Sequence, residues 1–197
     1  MRYYVIDNKD LSMKNFEKFV DKIVVKWRSE KKNILESHGL AGVIKSNREA
    51  GDSAEDYILR KVKDLPQNYI GKKSKGSQSP SDIFAVANRG RFWHIMLIQV
   101  KSSIDRNKIY KLNDGEIKVL SEFAKFFKKE LNSSELMKNY KKSSIVISTG
   151  YAGVHIDLKN NKHFLKDYEN YKIFQKNMTN LVGLDVFFKV RLAHSLK

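Results

Sequence analysis

The chain has 197 residues, 41% of them hydrophobic, enough for one domain with a sizeable core and too apolar for a disordered polyelectrolyte. It contains no cysteine, which excludes a disulfide framework, a thiolate zinc site and a cysteine nucleophile together. Lysine and arginine total 38 against 22 acidic residues, and the resulting charge of +16 calls for a polyanion, of which nucleic acid is the commonest inside cells.

No run approaches the roughly 18 to 20 apolar residues needed to span a bilayer, and the opening MRYYVIDNKD lacks the apolar stretch of a signal peptide. A soluble, intracellular protein with no membrane partner is the expectation. Residues 1–7 read as a short strand. Phe16, Phe19, Val20, Ile23 and Trp27 recur at helical spacing and predict an amphipathic helix over 13–31. Gly39 and Gly42 break that pattern, and Ser46 with Glu49 forms a possible capping box for a helix running from about 48 to 64. Residues 1–45 thus look like an N-terminal helical elaboration on a core of 48–150, within one domain of 197 residues.

GKKSKGSQSPS, residues 71–81, is the most loop-like stretch. Two strands follow within 79–103, joined at Asn88-Arg89-Gly90-Arg91, a good turn sequence. Ile117, Leu120, Phe123, Ala124, Phe127 and Leu131 mark another helix, and Ile145-Val146-Ile147 a short buried strand. The segment 160–197 predicts a helix from Phe164 to Leu181, containing Tyr168, Tyr171, Phe174 and Met178, then a strand in which Val186, Phe188, Val190 and Leu192 alternate. Helix, hairpin, helix and strand describe an α/β fold with a mixed sheet.

Chemistry concentrates at one end of the hairpin. Gln99 and Lys101 lie two apart and share a strand face, and Asp82 falls opposite Leu97 or Gln99 depending on register. On the preceding helix Glu55, Ile58, Leu59 and Val62 occupy one face, so a carboxylate sits on the stripe that should meet the sheet. A carboxylate there needs a partner or a metal. Taken singly, Asp82 reads as a turn residue, Glu55 as a helix-cap partner of Asp52, and Gln99 and Lys101 as solvated strand ends. Taken jointly, two carboxylates and an amide oxygen make an oxygen cage suited to Mg²⁺ or Mn²⁺, with a lysine beside it for a metal-bound water or a phosphate.

The order of these residues resembles the PD-(D/E)xK nuclease superfamily, most closely the archaeal Holliday-junction resolvases. The resemblance rests on Gly51 with Glu55, Gly76-Ser77, Pro80-Ser81-Asp82-Ile83 and Gln99-Val100-Lys101-Ser102, and covers roughly residues 48–150. It implies a restriction-endonuclease-like mixed sheet flanked by helices, and a metal-dependent DNA endonuclease. It further implies Asp82, Gln99 and Glu55 as metal ligands, the Val100 carbonyl assisting, Lys101 on the attacking water, and Ser77 near the scissile phosphate. Branched or junction DNA is the implied substrate, and symmetric cutting of a junction implies a homodimer. Lys72, Lys73 and Lys75 in the loop, with Arg89 and Arg91 in the turn, would grip phosphates without reading sequence.

Two positions depart from the pattern. Ser81 separates Pro80 from Asp82, and Gln99 stands where an acid is usual. An uncharged amide still ligates a hard cation but binds it less tightly. A nucleic-acid-binding protein that has lost the chemistry is the alternative that Gln99 favours, and a nuclease for flaps or single-stranded ends is another. Elsewhere the five histidines show no ligand spacing, His94 and Trp93 read as packed residues, and Gly150-x-x-Gly153 lacks the lysine of a nucleotide-binding loop.

Overall fold

The computed structural model describes residues 13–30, 48–65, 67–75, 79–89, 92–108, 110–140 and 144–173. The strand expected over 1–7, the break at Gly39 and Gly42, Ser46 of the capping box, Ser77, Arg91 and everything expected beyond 173 lie outside them. The elements are α1 (Met13–Glu30), α2 (Arg48–Lys63), β1 (Ile70–Lys73), β2 (Ile83–Asn88), β3 (Phe92–Ser103), α3 (Asp114–Asn132), a short 3₁₀ helix (Glu135–Tyr140), β4 (Ser144–Asp157) and β5 (Lys162–Ile173). The five strands form one mixed sheet in the order β1-β2-β3-β4-β5. All neighbours are antiparallel except β3 and β4, which run parallel. A parallel pair needs a crossover, and α3 supplies it.

Period-two alternation divides β3 between two cores. Trp93, Ile95 and Leu97 face α1 and α3, together with Phe84 and Val86 of β2. Met96 and Ile98 face the other way, with Ile83, Ala85 and Ala87, onto Ala54, Ile58 and Val62 of α2. Helix α1 is fixed by Phe16, Val20, Ile23 and Trp27, all essentially inaccessible. The Trp27 ring meets Phe123 of α3 edge-on at 5.3 Å. The N-terminal helix is therefore part of the core and not an appendage to it. Helix α3 begins with a reciprocal capping box in which the Asn113 side chain accepts from the Glu116 N–H and Glu116 accepts from the Asn113 N–H.

Three expectations are corrected. Residues 70–73 are strand β1, not loop, and α2 packs so closely there that a Cβ on Gly71 would lie 2.7 Å from Leu59 Cδ1. The strand expected at 145–147 runs for 14 residues. The segment from Lys162 to Ile173, expected as helix from Phe164 onward, is strand β5 paired antiparallel to β4. The aromatics of that segment suit either period, and pairing with the otherwise bare edge of β4 decides it. Its turn is built by Asp157, whose carboxylate accepts from the backbone N–H groups of Lys159 and Asn160, and by Asn161 at a φ of 49°.

Candidate active site

The register Ile83↔Ile98 places Asp82 opposite Gln99, the second of the two alignments left open by the sequence. Asp82 lies just before β2, and its backbone is held on both sides: its N–H donates to the Ile98 carbonyl at 3.0 Å, and its carbonyl accepts from Ser74 at 2.8 Å. Its side chain reaches along the sheet, where Oδ2 accepts the Val100 N–H at 2.6 Å. The N–H and C=O of one strand residue point to the same neighbour, so the Val100 carbonyl also faces the Asp82 side. Gln99 and Lys101 are half-buried on the α3 face of β3.

Ser81, which interrupts the proline–aspartate pair, has a structural use. It is fully buried, and its hydroxyl lies 2.9 Å from the Ile83 carbonyl and 3.2 Å from that of Ile98. The Ile98 carbonyl is thus clamped by Ser81 and by the Asp82 N–H together. The extra residue fixes the strand entry.

Glu55 approaches from α2, on the opposite side of the sheet. The stripe expected on this helix is present, with Ile58 and Val62 fully buried and Leu59 packed against the same core. Burial pushes the Glu55 carboxyl up to about 7, the Asp82 charge adds to the rise, Lys73 opposes it, and Asp52 and Asp56 contribute. Asp82 is half-buried as a residue, yet its carboxyl group is enclosed by protein, and burial raises it to about 7 against the pull of the Val100 N–H and Lys101. With the Asp82 charge reaching Glu55 and both carboxyls raised to about 7, the two can take up either protons or a cation.

Lys101 is aimed by a residue that the spacing argument missed. Its Nζ lies 2.5 Å from Glu116 Oε1, while Glu116 Oε2 accepts the Asn113 N–H at 2.9 Å. The lysine is tied through Glu116 to the first turn of α3. Asn113-x-x-Glu116 was readable as a capping box, but nothing in the sequence links it to Lys101.

The phosphate-gripping set is largely dispersed. Lys72 is buried, not exposed, and its Nζ lies 2.5 Å from Asp21 Oδ1 and donates to the Glu17 carbonyl. Period two turns it inward onto α1. Lys73 pairs with Asp56 at 2.8 Å. Lys75 is 80% exposed and 3.4 Å from Asp21. Arg89 stands at the far end of the β2–β3 hairpin, and seven residues at about 3.3 Å each put it roughly 20 Å from Asp82. Trp93 is buried as expected, and His94 lies between Tyr69 (2.6 Å) and Ser148 (2.7 Å), kept neutral by burial that lowers it to about 4.

Among the described residues, no three His, Cys, Asp or Glu side chains are gathered closely enough to hold a metal ion. A cation here would need oxygens of another kind beside Asp82 and Glu55. Gln99 is the residue across from Asp82 in register, and the Val100 carbonyl lies on the Asp82 side of β3. An amide oxygen and a backbone carbonyl are both donors that hard cations accept. The donor set is therefore oxygen-only and of low charge. No helix among the described residues is long and apolar enough to cross a membrane. No protein-family model matches the chain, and no curated protein matches it.

Proposed function

We propose that this chain is a metal-dependent DNA endonuclease of the restriction-endonuclease-like fold, selective for branched DNA such as a Holliday junction. The observation that carries the reading is the Asp82 Oδ2 to Val100 N–H bond at 2.6 Å, which holds the Asp82 carboxyl against β3 at the residue between Gln99 and Lys101. The supporting frame is helix α2, a three-stranded antiparallel meander, a crossover helix and a parallel strand, with Glu55 arriving from α2.

In this reading Asp82, Glu55, the Gln99 amide oxygen and the Val100 carbonyl hold Mg²⁺ or Mn²⁺. The bound ion would polarise the scissile phosphate and acidify a water. The protein's own part is positional. Ser81 and Val100 immobilise Asp82, and Glu116 holds the Lys101 ammonium so that it can orient a water and meet charge developing on the phosphate. Ser77, near the same strand entry in sequence, would face the phosphate. A homodimer would present two such sites to a symmetric junction.

A DNA-binding protein without cleavage is the second reading, favoured by Gln99 and by the lack, among the described residues, of three His, Cys, Asp or Glu side chains grouped closely enough to hold an ion. Labelled junction, flap, single-stranded and linear duplex DNA, incubated with Mg²⁺ or Mn²⁺, separate the two. The nuclease reading expects metal-dependent cutting that disappears in Asp82→Ala and Lys101→Ala, with Mn²⁺ the better cofactor. Binding without cutting in either metal selects the second reading.

A further inference from the structure

Of the residues first expected to grip DNA, Lys72 is buried, Lys73 and Lys75 are paired with acids and Arg89 is distant, so the cations beside the candidate site must be sought elsewhere. One surface next to the candidate site carries a cluster of cations. The loop leaving β3 and the turn between β4 and β5 meet at the same end of the sheet. Arg106 Nη2 lies 3.4 Å from Asp157 Oδ2, and Lys166 Nζ donates to the Arg106 carbonyl. Arg106, Lys108, Lys159, Lys162 and Lys166 are all exposed along this seam. Against these five cations stand Asp157, matched by Arg106, and the exposed Asp105, so the surface is cationic on balance.

The same seam is unusually apolar for a charged surface. Four large hydrophobic side chains are exposed among the described residues, and Ile104, Leu158 and Phe164 are three of them. Phe164 is 40% exposed and stacks on His155 with ring centroids 6.3 Å apart and planes 19° from parallel. His155 is buried, and neither of its ring nitrogens has a hydrogen-bond partner. A buried imidazole with both edges unsatisfied is costly, and a polar ligand atom entering beside Phe164 would satisfy it.

The sheet connects this seam to the site. Ser103 pairs with His155, and His155 with Phe164, while Lys101 pairs with Gly153. Phe164 therefore stands two strands across from Ser103, about 10 Å, and about 7 Å further along than Lys101. Cations spaced along a path, with an aromatic face among them, are what a nucleic-acid strand with an unstacked base requires.

We infer that the ridge formed by the β3–α3 connection and the β4–β5 turn carries the sugar–phosphate backbone of DNA, with Phe164 stacking on an unpaired base beside the cutting site. The inference rests on the nuclease reading and adds to it the surface and the substrate feature recognised: a single-stranded or branch-point nucleotide.

Fluorescence anisotropy in EDTA tests it, using single-stranded, four-way-junction and linear duplex DNA over a salt series. The triple variant Lys159→Ala, Lys162→Ala, Lys166→Ala is compared with Lys118→Ala, Lys125→Ala, Lys129→Ala, which removes the same charge from the exposed face of α3. The ridge variant is expected to bind at least about tenfold more weakly at about 0.1 M salt, with a log–log salt slope shallower by about 2 to 3. The α3 variant should stay within about threefold. Phe164→Leu should lose about tenfold on single-stranded and junction DNA and little on duplex, while Phe164→Trp retains binding.

Equal losses in the two triple variants overturn the inference, as does preference for anionic phosphatidylserine vesicles over every DNA. Wild-type protein that cuts DNA with Mn²⁺, alongside a ridge variant that binds as wild type, removes this inference and leaves the nuclease standing. No DNA binding by the wild type removes both.

Discussion

Asp82 and Glu55 hold protons that ordinary carboxyls surrender. Both are raised to about 7, chiefly by burial, so between about pH 4 and 7 the folded protein binds more protons at these positions than the unfolded chain. Their contribution to stability is greatest below pH 4, falls as pH rises through 7, and is flat above. His94, lowered to about 4, acts in the opposite sense between about 4 and 6.5, so the carboxyl effect is best read as a difference between variants. Asp82→Asn should gain thermal stability over wild type as metal-free protein is taken from pH 5 to pH 8, while losing all cleavage. A difference in melting temperature that does not grow with pH would show that Asp82 is ionised in the fold. Glu116→Gln keeps an oxygen for the Asn113 N–H but drops the charge facing Lys101. We expect stability within about 1 kcal/mol of wild type and cleavage lowered about 10- to 100-fold, in kcat and not in KM. Neither Glu116 nor Ser81 was visible as part of the site, because each acts through a contact between distant segments. Asp82, Gln99 and Lys101 were visible, because strand parity alone sets their shared face.

Elements were legible where one period dominated. Helices α1 and α3 announce themselves by buried residues every three or four positions, and the β2–β3 hairpin by an apolar run on either side of a turn. Strand β5 failed because Tyr168 and Tyr171 are three apart and Leu165 precedes them by three, a helical spacing. The better clue was Asp157 to Asn161, a turn sequence ending β4 and demanding a strand on its other side. Strand β1 failed because four residues rich in glycine and lysine carry no usable pattern, and only the neighbouring strand and α1 reveal which lysine turns inward. Gly153 on β4 shows how tightly the elements then fit. A Cβ there would lie 2.5 Å from the Tyr110 ring, and that ring is anchored by its hydroxyl on the Val154 carbonyl at 2.9 Å. Gly153→Ala should cost about 1 to 3 kcal/mol in urea denaturation, with no loss if Tyr110 can swing clear.

On the scale of the whole molecule, the strands stand in space in the order in which they occur in the chain. Among the described residues no strand has to be inserted between two already in place, so these five can be added outward in one direction as the chain leaves the ribosome. The β2–β3 hairpin closes locally, whereas β4 must wait for α3 to bring it back parallel, the slower kind of event. Asp82, Gln99 and Lys101 belong to the hairpin that closes locally, and the cationic turn with Phe164 is added after it. Amide exchange should follow the same sequence, slowest along β3, which is covered on both edges and both faces, and fastest toward the far end of β5. A chain stalled or cut after β4 would thus carry Asp82, Glu55 and Lys101 in place, but without the β4–β5 turn and the cationic ridge proposed for DNA.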